Sequence, residues 1–384
     1  MSKRNPGLNT ICTHVGAVKD ITHGGATSPI YLSTSYEFIG KDSKRYPRYF
    51  NTPNQEFLAK KVAALEVAEA ALIFSSGMSA ITNVMLMALK SGDHAVVQND
   101  IYGGTRNFIE THFKSYGIEF SFTNDLTIKS FEDCIQENTK LIYIETPSNP
   151  MLKLVDIFAI AKLGKRSGIL TAIDNTFATP VIQKPIALGI DIVIHSATKY
   201  FGGHSDITAG VVAASNSTIE ALWDLAKDFG GNLSDFSVWM LERSMKTLGI
   251  RVRAQQKNAL KIAKFLESHP AIKKVYYPGL KTHPDHALAK LQMKGFGAML
   301  SFELSNKYGV ETFFKSLELI KPSMSLAGVE STVILPSKTS HALLSVDERE
   351  AQGITDQLIR FSVGIESKKD LIYDIKNALM HSKK

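Results

Sequence analysis

The stretch Asp191–Asp206 constrains the fold more than any other part of the chain. It reads Asp-Ile-Val-Ile-His-Ser-Ala-Thr-Lys-Tyr-Phe-Gly-Gly-His-Ser-Asp, an apolar β-type run that stops at small hydroxyl residues, one lysine and a glycine pair. Three other runs, His94–Gln98, Leu141–Glu145 and Leu170–Asp174, are strand-like in the same way, with helical stretches between them. Strands alternating with helices predict a parallel α/β sheet. Lys199 is then delivered at the end of a strand, into a turn of small residues where a cofactor can come close. Such a lysine can form a Schiff base with an aldehyde cofactor, and Ser196 and Thr198 can hold that cofactor's phosphate.

At 384 residues the chain is too long for one small core, and two packed domains are expected. Residues 1–53 are polar and turn-rich, with Pro6, Gly7, Gly24, Gly25, Pro29 and Pro47, and read as an extended arm. Residues 54–245 form the larger α/β domain, opened by Leu58, Val62 and Leu65 at helical spacing. Residues 246–384 read as a smaller α+β domain. Within it Leu300, Phe302 and Leu304 alternate with Ser301 and Glu303, and Ile359, Phe361 and Val363 with Arg360 and Ser362, which predicts half-buried strands. A last amphipathic helix carries Leu371, Ile375 and Leu379.

Several functions are excluded at this level. The net charge of +7 comes from scattered lysines without the basic stripe that nucleic acid requires. No apolar run is long enough to span a bilayer, and the first residues lead into no apolar signal segment, so a cytoplasmic location is expected. Cys12 and Cys134 lack metal or redox spacing, which predicts reduced thiols and no metal site.

The remaining polar residues at strand ends are individually ambiguous. Asp174 is either a loop carboxylate or the partner of a pyridinium nitrogen. Ser75-Ser76-Gly77-Met78 is either an ordinary helix entry or an anion site at a helix N-terminus. Glu145 and Asn149, in Glu-Thr-Pro-Ser-Asn-Pro, are active-site groups or turn formers. Tyr102, before two glycines, either packs in a loop or lies flat on a cofactor ring, and Arg360 either meets a substrate carboxylate or sits at the surface. His204 and Asp206 read as loop-stabilising hydrogen-bonders. Taken in order, these signals form one consistent pyridoxal phosphate (PLP) site.

The chain resembles the Cys/Met-metabolism (trans-sulfuration) family of PLP enzymes, whose fold is of type I, like that of aspartate aminotransferase. The resemblance runs nearly end to end: Tyr46-Pro-Arg48, Ser76-Gly77-Met78, Tyr102-Gly-Gly-Thr, Glu145-Thr-Pro-Ser-Asn149-Pro, Asp174-Asn-Thr176, Ser196-Ala-Thr198-Lys199, Ser325-Leu-Ala-Gly-Val-Glu330 and Arg360-Phe-Ser-Val-Gly. It implies that Lys199 holds PLP and shuttles protons, and that Asp174, beside Thr176, faces the ring nitrogen while Tyr102 stacks on the ring. Gly77, Met78, Ser196 and Thr198 would hold the phosphate, joined by Tyr46 and Arg48 of a neighbouring subunit. Arg360, Asn149 and Ser325 would position the substrate carboxylate, and Glu330 its distal end. The resemblance further implies a homotetramer of two active dimers. The phrases Arg-Tyr-Pro-Arg-Tyr-Phe-Asn and Lys-Thr-Ser-His-Ala-Leu-Leu-Ser look most like bacterial cystathionine β-lyases. β-Cleavage of cystathionine is therefore the leading expectation, with γ-synthase or γ-lyase activity as alternatives and a non-catalytic PLP-binding regulator as a remote one. Arg45 and Gly104 depart from the γ-lyase patterns for cystathionine and methionine respectively.

Overall fold

The computed structural model describes residues 6–41, 44–342 and 345–384, apart from the side chains of 348, 350 and 351. The first five residues of the expected arm, and Leu343 and Leu344 of the Ser-His-Ala-Leu-Leu-Ser phrase, lie outside the described residues. The chain forms two units. One comprises Met1–Asn99, Phe108–Ile144 and Ile157–Gly249; the other comprises Asp100–Asn107, Glu145–Asp156 and Ile250–Lys384.

The first sheet has seven strands: β1 (Ala70–Phe74), β2 (His94–Val97), β3 (Glu119–Phe122), β4 (Thr139–Glu145), β5 (Leu170–Asp174), β6 (Ile192–His195) and β7 (Gly210–Ala214). Their order is β1-β7-β6-β5-β4-β2-β3. β2 runs parallel to β3 and β4, and β5 parallel to β6, whereas β7 is antiparallel to both β6 and β1. The sheet is thus mixed and mostly parallel, as expected of an α/β fold of type I. β2, β6 and β7 are buried at every residue, the pattern of strands covered on both faces.

Helices start where the sequence supplies caps. Thr52 and Gln55 form a reciprocal capping box on the helix Pro53–Glu66, whose Leu58, Val62 and Leu65 are fully buried. Ser76 caps the helix Gly77–Ala88 by accepting the Ser79 N–H at 3.0 Å. The segment expected to be an extended arm contains a short helix, Leu8–His14. Its Cys12 carbonyl accepts a hydrogen bond at 2.7 Å from the buried Lys61 ammonium, which also meets Glu242 at 2.7 Å. A tertiary contact therefore stabilises a helix that the local composition does not favour. Beyond it Ile21, Phe38 and Ile39 are exposed.

The second unit holds β8 (Ile272–Tyr276), β9 (Met299–Leu304), β10 (Lys321–Pro322), β11 (Thr332–Ile334) and β12 (Leu358–Ser362), in the order β10-β11-β12-β9-β8. All pairs are antiparallel except β10 with β11. Here the expectation of half-buried strands is overturned, because every residue of β9 and β12 is buried. The alternating polar residues face other chain segments of the same unit. Ser301 Oγ donates to the Pro150 carbonyl at 2.7 Å, and Ser362 Oγ accepts the Ala327 N–H at 2.7 Å. Glu303 accepts from Tyr276 Oη at 3.2 Å and pairs with Lys273 at 3.0 Å. Among the described residues no helix is long and apolar enough to cross a membrane.

Candidate active site

β5 and β6 end side by side, and their last residues begin the site. Asp174 is buried and accepts hydrogen bonds from the Thr176 N–H, at 2.9 Å, and from the Thr176 hydroxyl. Thr176 Oγ1 in turn accepts the Ser196 N–H at 2.8 Å, so one threonine ties the end of β5 to the residue after β6. Burial raises the Asp174 pKa above its ordinary value; the Thr176 hydrogen bonds and the charges of His195 and Lys199 oppose that rise. Lys199 lies on the following turn, half-buried, with its N–H donating to the Ser196 carbonyl at 3.0 Å. Thr198 is fixed to Ala209 by hydrogen bonds in both directions at 3.0 and 3.1 Å.

Gly77 opens the helix after β1 against this same turn. A Cβ added there would lie 2.8 Å from both Cβ and Oγ of Ser196, so only glycine lets the helix N-terminus come this close. Gly210 is equally constrained, since a Cβ would fall 2.1 Å from the Ser76 carbonyl oxygen. The first N–H groups of a helix have no acceptor within it, and the helix dipole favours an anion at that end. Gly77, Met78, Ser196 and Lys199 therefore form a compact cluster that can supply donors for a phosphate, beside a buried carboxylate suited to a cationic ring, while the proton of the Thr198 hydroxyl is taken by the Ala209 carbonyl.

In the second unit Arg360, on β12, is buried and donates to Asn149 Oδ1 at 3.1 Å and to the Ser325 carbonyl at 3.0 Å. It is not the surface arginine that its alternating position allowed. Ser325 and Ala327 have positive φ values of 75° and 68°, and such non-glycine residues concentrate at functional sites. Glu145 accepts the Tyr102 N–H at 2.8 Å, which fixes the residue leading into the helix Gly103–His112. Tyr102 itself is 42% exposed, and Glu330 is also exposed. Tyr46 is likewise exposed; Arg48 donates to the Lys227 carbonyl and lies over the rings of Tyr46 and Tyr49, at 5.8 and 5.2 Å from their centroids. Arg45 pairs with Glu56 at 2.9 Å.

Four buried groups next to these residues escaped the sequence reading. His195 Nε2 lies 2.5 Å from Glu66 Oε1. Asp100 accepts from the Ser148 hydroxyl at 2.7 Å, joining the segments that bear Tyr102 and Asn149. His341 is buried, and both burial and the Arg360 charge lower its pKa to about 4. Only the phrase around His341 and the segment around His195 carried any signal, and neither singled out the imidazole. His204 does serve its loop as expected, with Nδ1 2.8 Å from the Gly202 carbonyl. Among the described residues no cluster of His, Cys, Asp or Glu could hold a metal ion.

The fold and the Lys199 cluster define a class, that of PLP enzymes built on a mixed, mostly parallel sheet. Over residues 9–380 the chain matches the family described as Cys/Met metabolism PLP-dependent enzyme, and it belongs to that family. It is 44% identical over 373 residues to cystathionine gamma-lyase of Bacillus subtilis (strain 168), covering 96% of this chain and 98% of that one. It is 41% identical over 375 residues to cystathionine beta-lyase of Lactococcus lactis subsp. cremoris (strain MG1363), covering 97% and 98%. Its fold superposes with a TM-score of 0.94 on the crystal structure of cystathionine gamma synthase from Xanthomonas oryzae pv. oryzae in complex with aminoacrylate and cysteine. That pair is 38% identical, with 98% of this chain and 99% of the other covered. The chain is accordingly a PLP-dependent trans-sulfuration enzyme of a carbon–sulfur lyase family.

Proposed function

We propose that the protein cleaves the C–S bond of cystathionine by β-elimination, releasing homocysteine, pyruvate and ammonia. The observation that carries the reading is Lys199 on the turn after β6, beside the end of β5 where the buried Asp174 is held by Thr176, which also takes the Ser196 N–H. The likeness to the Lactococcus β-lyase supports the choice of bond.

When bound, PLP supplies an electron sink for charge left at Cα. Lys199 would be its attachment amine and the base that takes the Cα proton. Asp174, oriented by Thr176, would hold a proton on the ring nitrogen, because a cation beside a buried carboxylate favours the charged form of both. The Gly77 and Met78 N–H groups and the Ser196 hydroxyl would hold the phosphate, and the Thr198 hydroxyl would join them by turning from the Ala209 carbonyl. Tyr102 would stack on the cofactor ring. Arg360, preset by Asn149 and the Ser325 carbonyl, offers its fork to the substrate carboxylate. The Cβ–S bond then breaks with its electron pair on sulfur, which takes a proton and leaves as homocysteine. The remaining 2-aminoacrylate hydrolyses to pyruvate and ammonia.

Tyr46 and Arg48, exposed in their own chain, serve the phosphate site of a neighbouring copy within a homotetramer of two active dimers. The cytoplasm is its proposed location. A γ reading, as lyase or synthase, is favoured by exposed Glu330 as a contact for the distal end of the substrate and by the likeness to the Bacillus γ-lyase.

Incubation with cystathionine decides among these readings. Pyruvate is expected. 2-Oxobutyrate would replace β- by γ-cleavage, and cystathionine formed from an activated homoserine ester plus cysteine would make the enzyme a synthase. Lys199→Ala should lower turnover by about 10³-fold or more and abolish the cofactor's visible absorption; retention of both would refute its role.

A further inference from the structure

Glu66 and His195 are 129 positions apart in sequence, yet they meet as a buried pair at the ends of a helix and of β6. Glu66 Oε1 also takes the Asn175 side-chain amide at 3.3 Å, and Asn175 follows Asp174 directly. The Asn175 N–H donates to the Ile194 carbonyl at 2.9 Å, the residue before His195. Gln183 Nε2 donates to Asn175 Oδ1 at 2.9 Å and holds that amide in place. Glu66 therefore grips both strand ends that frame Asp174. The His195 ring is stacked on Phe201, with centroids 4.7 Å apart and planes 29° apart, which fixes its orientation.

A carboxylate–imidazole pair is a poor device for merely joining a helix to a sheet, because apolar residues of similar size would do so without desolvating charge. Glu66 Oε2 is moreover buried with no hydrogen-bond partner, so the carboxylate is committed to His195 and Asn175 through one oxygen. The charged groups facing His195 are Glu66 and Asp174; those facing Asp174 are His195 and Lys199. Lys199 changes its bonding partner during the reaction, whereas the Glu66–His195 contact and the stacking of His195 on Phe201 stay fixed by packing.

We propose that Glu66 and His195 are positioning residues that act through Asp174, keeping its carboxylate anionic toward the ring nitrogen of the cofactor. The inference rests on the assignment of Asp174 and Lys199 to PLP. It makes Glu66 a determinant of ring protonation although it touches neither cofactor nor substrate.

The test uses holoenzyme loaded with PLP that is isotopically labelled at its ring nitrogen, in the wild type and in Glu66→Gln and His195→Gln variants. Nitrogen NMR should place the wild-type ring as pyridinium and both folded variants shifted toward neutral pyridine. Their dissociation constants for PLP should rise about tenfold. An unmoved nitrogen resonance in either folded variant would overturn the proposal, as would failure of both variants to fold, since the pair would then be structural. Lys199→Ala serves as the control: a retained visible band would refute the Lys199 assignment, whereas a lost band with unmoved Glu66→Gln and His195→Gln resonances would refute only the present inference.

Discussion

The two sheets use polar residues in opposite ways. In the first, β5 and β6 are apolar apart from Thr171 until their last residues, Asp174 and His195, which with the turn that follows carry the chemistry. In the second, β9 and β12 bury polar groups within the strands as well as at an end: Ser301, Glu303, Arg360 and the terminal Ser362 each reach across to a loop or a neighbouring strand. A sheet covered by helices leaves only its ends for function. A sheet whose polar face is covered by loops instead turns that face into the holder of those loops. Polar substitutions should thus be tolerated in the middle of neither sheet, but for different reasons.

Among substitutions that probe the contrast between the sheets, Arg360→Lys has the largest expected effect. A point charge cannot span Asn149 Oδ1 and the Ser325 carbonyl while also presenting a fork, so kcat/KM should fall about 10²-fold, mostly through KM. An unchanged KM would remove Arg360 from carboxylate recognition. Ser362→Ala strands the buried N–H of Ala327, a residue already at φ 68°, and should cost about 2 kcal/mol in denaturant unfolding. A loss near zero would mean that the polar face of β12 does not hold the turn. Gly77→Ala tests the strand-end site, because its Cβ would force Ser196 to shift from 2.8 Å; PLP binding should weaken about tenfold with little loss of fold.

The smallest effect is one of pH. The His341 pKa is lowered from 6.5 to about 4 by burial and by Arg360, so protonation favours the unfolded chain. The contribution of His341 to stability is complete above pH 6.5 and is lost as the pH falls through about 4. His341→Gln should flatten unfolding-versus-pH curves in that window; an unaltered slope would show that the imidazole is not held neutral.

The difference between the sheets also explains what could be read in the chain. A strand that closes on Asp174 or runs into Ser-Ala-Thr-Lys announces both its class and its site, because the pattern is local. Alternation in Met299–Leu304 and Leu358–Ser362 gave the strands but the wrong exposure. Period-two spacing cannot tell water from the Pro150 carbonyl or the Ala327 N–H as the partner of a serine. The Glu66–His195 pair was invisible for a related reason: it joins a helix end to a strand end far away in sequence, with no local signature at either. The resemblance to a PLP family was legible because it rests on short motifs in order, and the family match over residues 9–380 bears it out.

The central claim is that the turn after β6 exists to present Lys199 to the aldehyde of PLP. Borohydride reduction of the PLP-loaded protein, followed by peptide mass spectrometry, tests it directly. A single pyridoxyl adduct on the peptide bearing Lys199 is predicted, whereas an adduct on another lysine, or none, would contradict the account.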